Sequence, residues 1–402
     1  MARFRDGRQN TGTTRLSKAQ NPYSDLPPRA FWRSGVAEAG LFGLTGLWKS
    51  KWKLPADARF ATYGSCFAQH ISRALIARQL PWVDAEPAPG RTPADLAKSH
   101  NYGVFSSRTA NIYTAAQLLL LARLATGETA VEEPELWDGG GRVFDSLRPA
   151  IEPAGFASRD EALLSRATMA GAFLRSIADA DAFVFTLGLT EGWENAATGQ
   201  PYPMCPGTTA GVFDAGSHVF RNYTYPQIMA DLIAARAIMR RVNPDIRLLL
   251  TVSPVPLTAT ASGNHVLVAT TYSKSVLRAV AGDAAAGDDA TDYFPSYEII
   301  TGAPTRSAFF EPNMRSVAQA GVVSTQTTFT TLVAPFAGVV AVVNVEQGDM
   351  AIPGIPLLTL YDPAQMRVVA TVPEGRAGAI DPAQKVRIDI GGYRQRRQEA
   401  LA

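Results

Sequence analysis

Three times along this chain a short, uninterrupted apolar run is coupled to a segment with helical spacing, and no other feature narrows the fold as much. Residues 59–80 are the clearest case. Phe60, Ala61, Thr62 and Tyr63 form a β-prone run, Gly64-Ser65-Cys66 makes a tight turn, and Phe67, Ile71, Leu75 and Ile76 follow at helical spacing. A helical segment closing over 175–182 leads into the buried run Phe183-Val-Phe-Thr-Leu187. A helix predicted over 228–242 leads into a strand over 246–252 that ends at Ser253-Pro254. Strands that are apolar along their whole length need cover on both faces, so the pattern predicts an α/β fold around a parallel sheet. Ligands on such sheets bind at the carboxyl ends of the strands. Ser65, Cys66, Gly188, Thr190, Glu191 and Ser253 fall at those ends.

At 402 residues the chain exceeds what one hydrophobic core usually supports, so more than one domain is expected. Its net charge of +2 gives no general electrostatic reason to expect a nucleic-acid partner. The first 31 residues read as a flexible basic arm: Arg3, Arg5, Arg8, Arg15 and Lys18 are opposed only by Asp6 over the first twenty positions. No run of about 18 apolar residues exists, and no apolar core follows the basic N-terminus, which argues against a membrane span and a secretory signal. A cytoplasmic location is the expectation. Cys66 and Cys205 are too few for a disulfide framework or a zinc site, so no metal centre is expected.

Past Gly321 the composition changes. Residues 322–390 are rich in Val, Thr, Pro and Gly, with alternating runs such as Val339-Val-Ala-Val-Val-Asn-Val345 broken by turn pairs. This reads as a small all-β segment, followed by a basic tail over 394–402.

The chemistry concentrates at Gly64-Ser65-Cys66, which puts two nucleophilic side chains in a strand-to-helix turn. A helix N-terminus there favours a thiolate or a developing oxyanion. The plain alternative is a turn in which Cys66 fills a small buried space.

Gly64-Ser-Cys-Phe-Ala68 after an apolar strand resembles the namesake signature of the GSCFA-domain family. The resemblance extends to Asn101-Tyr-Gly-Val-Phe105, Asn111-Ile-Tyr-Thr114, Thr186-Leu-Gly-Leu-Thr-Glu-Gly-Trp-Glu194, Ser253-Pro-Val-Pro-Leu257, Tyr272-Ser-Lys-Ser275 and Tyr293-Phe-Pro-Ser-Tyr-Glu298, and it covers residues 32–321. That family is similar to the SGNH/GDSL hydrolases, a three-layer α/β sandwich of esterases and acyltransferases, and is associated with bacterial surface polysaccharide. Placing Gly64 on the glycine of the hydrolase nucleophile block puts Cys66 on the nucleophile; slipping by one puts Ser65 there. Cys66 is the preferred assignment. The same resemblance offers Asn101 and Gly103 as oxyanion contacts. It matches Gly188 to the glycine of a glycine-x-asparagine block, with Thr190 where asparagine would stand.

The general base departs from the hydrolase pattern. Asp-x-x-His is replaced by Asn313-Met-Arg-Ser316, after Phe309-Phe-Glu-Pro312. A nucleophile of this kind needs a base within hydrogen-bond reach. Among His70, His100, His218 and His265, the first candidate is His265, because it follows the strand end at Ser253 by a short loop. Glu191 either orients a base or caps the loop before Trp193.

The β segment resembles a different family. Thr331-Leu-Val-Ala-Pro-Phe-Ala-Gly-Val-Val340, Val345-Glu-Gln-Gly-Asp349 and Pro353-Gly-Ile-Pro-Leu-Leu-Thr-Leu-Tyr-Asp362 are similar to the second half of the lipoyl-like domain of membrane fusion proteins, and Arg367-Val-Val-Ala-Thr-Val-Pro-Glu374 to the start of their β-barrel. The turn over 345–350 has no lysine to carry biotin or lipoate, so no cofactor is implied.

The function expected from these readings is acyl-ester hydrolysis or acyl transfer on a carbohydrate-linked acyl group. The partner is then a small-molecule or carbohydrate substrate, or an acyl carrier. The rival is a catalytically silent module that binds a glycan or acyl carrier on the same fold.

Overall fold

The structure, a computed structural model, describes residues 21–40, 43–55, 57–129, 135–330, 339–343 and 358–361. The chain separates into two compact units, Met1–Val333 and Ala334–Ala402. In the first, chain order is β1 (Phe60–Gly64), α1 (Gln69–Ala77), α2 (Ala94–Ser99), α3 (Ala115–Thr126), β2 (Leu136–Gly139), β3 (Arg142–Asp145), α4 (Arg159–Asp179), β4 (Ala182–Leu187) and β5 (Glu191–Asn195). Then come β6 (Pro201–Tyr202), β7 (His218–Asn222), α5 (Tyr225–Val242), β8 (Arg247–Val252), α6 (Val266–Ala286), β9 (Thr291–Tyr293), α7 (Ser296–Thr301) and α8 (Gln319–Thr330).

Four parallel strands form the central sheet in the order β1-β4-β8-β9. The three strands expected from the apolar runs are its first three, and β1 and β4 are buried along their whole length. Because side chains alternate across a strand, one sequence builds two interfaces. Phe183, Phe185, Leu187, Leu248, Leu250 and Val252 meet α3, α4, α5 and α6 on one face. Ala182, Val184 and Leu249 meet Ile71 and Leu75 of α1 and Ile299 and Ile300 of α7 on the other. The result is a three-layer α/β sandwich. Each fully buried Phe or Leu contributes about 1.5–3 kcal/mol against exposure, so these two faces hold the sheet.

Local signals set the helix ends. Thr114 and Gln117 form a capping box at the start of α3, and Gly127, at φ 72°, ends it. Asp145 at the end of β3 is fully buried between Arg148 (2.8 Å) and Arg166 (2.5 Å), tying the β2-β3 hairpin to α4. Burial alone would raise its pKa, but the two guanidinium groups outweigh it and hold the carboxyl below the usual range.

At the far end of this unit the composition misleads. The β-rich reading begins at Val322, whereas α8 runs from Gln319 to Thr330 through Val322, Val323 and Thr325. Packing overrides β propensity here: Val322 and Thr325 are buried, and a Cβ on Gly321 would sit 2.8 Å from the Cβ of Phe309. Gln326 Nε2 also donates to the carbonyl of His70 in α1.

In the second unit, β10 (Val339–Val343) pairs antiparallel with β11 (Leu358–Tyr361). The rest of the lipoyl-like segment, the 345–350 turn, the basic tail and residues 1–20 of the basic arm lie outside the described residues. Among the described residues no helix is long and apolar enough to cross a membrane, and no cluster of His, Cys, Asp and Glu is arranged to hold a metal ion.

Candidate active site

The turn after β1 is built by its neighbour β4. Gly64 has φ +134°, and a Cβ there would lie 2.5 Å from the Thr186 carbonyl oxygen and 2.7 Å from its nitrogen. Only glycine fits this close approach. The Ser65 N–H then donates to Thr186 O at 3.2 Å, and Cys66 opens a short 3₁₀ turn, Cys66–Ala68, that leads directly into α1. Ser65 is 2% exposed and its hydroxyl has no hydrogen-bond partner among the described residues, whereas Cys66 is partly exposed.

Both line a cleft of about 430 Å³ at the carboxyl end of the sheet. Its polar wall includes Tyr113, Gly188, Glu191, Ser253 and Arg315; its apolar wall includes Trp193, Met204, Phe220 and Leu257. The apolar wall comes from a small antiparallel sheet, β6-β5-β7, inserted after β4, from the segment following β6, which carries Met204, and from the loop following β8. Glu191 accepts from the Thr260 hydroxyl at 2.8 Å, so it fastens that loop across the cleft.

A residue outside the sequence-derived site lies under this cleft. Lys274, in the third turn of α6, is 1% exposed, and its Nζ donates to the Gly188 carbonyl at 2.7 Å. Burial pushes its pKa down to about 7; the Cys66 sulfur acts in the opposite direction and the Arg315 charge in the same one. Cys66, Lys274 and Arg315 therefore share one electrostatic environment. Tyr113 belongs to it too: burial, then the Cys66 charge, raises its phenol pKa, and its hydroxyl accepts from Asn111 Nδ2 at 3.0 Å.

The backbone around Gly188 is already committed. The N–H groups of Gly188 and Leu189 donate to Tyr113 O, at 3.1 and 2.9 Å, and that of Thr190 donates to Ser273 Oγ at 3.0 Å. The Gly188 block thus positions Tyr113 and Lys274 rather than presenting free donors. Thr190 is fully buried, its hydroxyl has no partner among the described residues, and it does not line the cleft.

The structure does not gather the other sequence candidates there. Asn101, in a left-handed conformation at φ 60°, and Gly103 follow the end of α2, outside the cleft lining. His265 is exposed at the N-cap of α6, where its Nδ1 accepts from the Leu267 N–H at 3.2 Å. His70 sits against the Phe67 ring, 5.4 Å between centroids, and burial followed by the Arg73 charge lowers its pKa. His100 pairs with Glu152 at 3.2 Å, and the Nδ1 of His218 accepts from the Asp214 N–H. Asn313 accepts from the N–H groups of Arg315 and Ser316, closing a turn that carries Arg315 into the cleft. Lys274, Tyr113 and Asn111 were all present in the Tyr272-Ser-Lys-Ser275 and Asn111-Ile-Tyr-Thr114 stretches, so a signal existed for them.

A larger hollow of about 1120 Å³ between α3, α5 and β5 is lined by Glu135, Glu194 and Asp231 with Arg123 and Arg159, and contains neither Cys66 nor Lys274. Two of its lining residues, Thr129 and Glu135, flank positions 130–134, which lie outside the described residues.

A family model described as GSCFA family matches residues 59–329. No curated protein matches the chain.

Proposed function

The chain belongs to the GSCFA family, and we propose that it is an acyl-transfer or ester-hydrolysing enzyme in which Cys66 is the nucleophile and Lys274 the general base. What supports this reading is a juxtaposition: the Nζ of buried Lys274 donates to the carbonyl of Gly188, which lines the same cleft as Cys66, and burial brings the Lys274 pKa down to about 7 while the Cys66 sulfur acts on it electrostatically. A lysine tuned in this way has the proton affinity that general-base catalysis at neutral pH requires.

Neutral Lys274 takes the thiol proton, and the Cys66 thiolate attacks the acyl carbonyl carbon. As the tetrahedral intermediate collapses, the carbon–oxygen bond to the sugar breaks. The leaving alkoxide takes the proton back from the Lys274 ammonium, leaving a thioester on Cys66. Water or an acceptor hydroxyl then attacks the thioester, giving its proton to Lys274, and the thiolate departs. The unpartnered Ser65 hydroxyl is the donor assigned to the oxyanion. The sugar preference rests on the family resemblance and on half-buried Trp193, whose flat face suits the apolar face of a sugar ring.

The test is steady-state hydrolysis of a panel of acetylated sugars and acyl-CoA donors by the full chain. Turnover is expected, with Cys66→Ala abolishing it and kcat/KM rising with pH through about 7 as Lys274 becomes neutral. Tight glycan binding without turnover on any donor would favour the silent binding module instead.

A further inference from the structure

The hydrolase pattern places its base and orienting acid where this chain has Asn313-Met-Arg-Ser316, and the structure gives that loop a different content. Its third residue, Arg315, lines the cleft together with Ser65, Cys66 and Tyr113. Its Nε is buried and has no hydrogen-bond partner among the described residues. The one carboxylate among the described cleft-lining residues, Glu191, is engaged by Thr260. Arg315 as a whole is half-buried, but a buried guanidinium nitrogen without a partner is costly to a fold, and the guanidinium fork matches the oxygens of a carboxylate or a phosphate.

The loop is built to hold this cation in place. Asn313 Oδ1 accepts from the Arg315 and Ser316 N–H groups at 2.9 and 2.8 Å, and its Nδ2 donates to Ser316 Oγ at 3.0 Å. The Glu311 N–H donates to Ser316 O at 2.8 Å, and Phe310 bridges Val317. Met314 is thereby kept at φ 55°, a left-handed conformation that a side chain of this kind adopts only when its surroundings enforce it.

We propose that Arg315 forms a subsite for an anionic group, a carboxylate or a phosphate, carried by the substrate next to its acyl bond. The substrate class is then an acylated acidic sugar or sugar phosphate rather than a neutral glycan. The word substrate rests on the acyl-transfer reading; the anion subsite itself does not.

Cys66 can report on this subsite without turnover. In the full chain, its alkylation by iodoacetate, which is anionic, is compared with that by neutral iodoacetamide, using peptide mapping. Arg315→Gln is expected to lower the ratio of the iodoacetate rate to the iodoacetamide rate by about 10- to 100-fold, a ratio in which any change in the thiolate itself cancels. Arg315→Lys, which keeps the charge, should retain most of the preference. Glucuronate or inorganic phosphate should protect Cys66 from iodoacetamide in wild type and not in Arg315→Gln, and whichever protects identifies the anion. An iodoacetate preference that survives Arg315→Gln, or protection by neither anion, overturns the subsite. Loss of the preference in an enzyme that turns over no ester leaves the subsite standing and removes the acyl-transfer reading.

Discussion

Replacing Lys274 with Met should make the protein more stable at low pH and far less active. Burial lowers the Lys274 pKa from 10.5 to about 7, and at 1.36 kcal/mol per pKa unit this corresponds to about 4–5 kcal/mol. Between those two values the unfolded chain holds a proton that the folded one has released, so wild-type stability rises with pH across that window. Below pH 7 the native state carries the full penalty. Methionine has similar length and no charge, and so removes the penalty, but it leaves the Gly188 carbonyl without its 2.7 Å donor. That loss costs about 1–3 kcal/mol. The variant should therefore exceed wild type by about 2 kcal/mol at pH 6 and fall below it near pH 10. Urea unfolding followed by tryptophan fluorescence reads this directly, because all six tryptophans lie in the Met1–Val333 unit. Ester turnover should fall by about 10²–10⁴-fold. A Lys274→Met protein that is less stable than wild type at pH 6, with an unchanged pH slope, would show that the ammonium is a paired structural charge and refute the argument.

Gly64→Ala should cost at least about 3 kcal/mol in equilibrium unfolding, since its Cβ would meet the Thr186 backbone at 2.5 and 2.7 Å in a backbone conformation side chains avoid. A near-neutral result would mean that β1 and β4 are less closely joined than described. Asp145→Asn leaves Arg148 and Arg166 buried without their carboxylate and should lose about 3–5 kcal/mol. In wild type that contribution is fully present above pH ~4 and disappears as pH falls through the lowered Asp145 pKa, which acid titration of the fold can follow. Iodoacetamide should label Cys66 faster than Cys205, whose thiol burial raises; equal, slow labelling of both would count against a reactive Cys66.

The core sheet was legible because strands buried on both faces leave continuous apolar runs, as at Phe183 to Leu187. The strand β9 was not, since Thr291, Asp292 and Tyr293 are too short and too polar to stand out. The β6-β5-β7 sheet was hidden for a related reason: Trp193 and its neighbours are partly exposed and break the apolar pattern. In the site, strand ends pointed to Ser65, Cys66 and Gly188 because topology alone brings such positions together. Lys274 escaped because a lysine in a helix is ordinarily solvent-facing, and helical spacing does not say which turn faces the sheet end. His265 attracted attention by its place after β8, yet at that position the imidazole caps α6, a local role that a histidine fills without any part in a cleft.

The central claim is a covalent acyl intermediate on Cys66 formed with the help of Lys274. Its most direct measurement is the intact mass of the full chain, quenched in acid within the first turnover of an activated acetyl ester and followed by peptide mapping. The expected result is a single added acetyl group on the peptide containing Cys66, accumulating faster as pH rises through about 7 and strongly reduced in Lys274→Met. An acetyl group found on other residues only, or one that forms on Cys66 equally fast without Lys274, would contradict it.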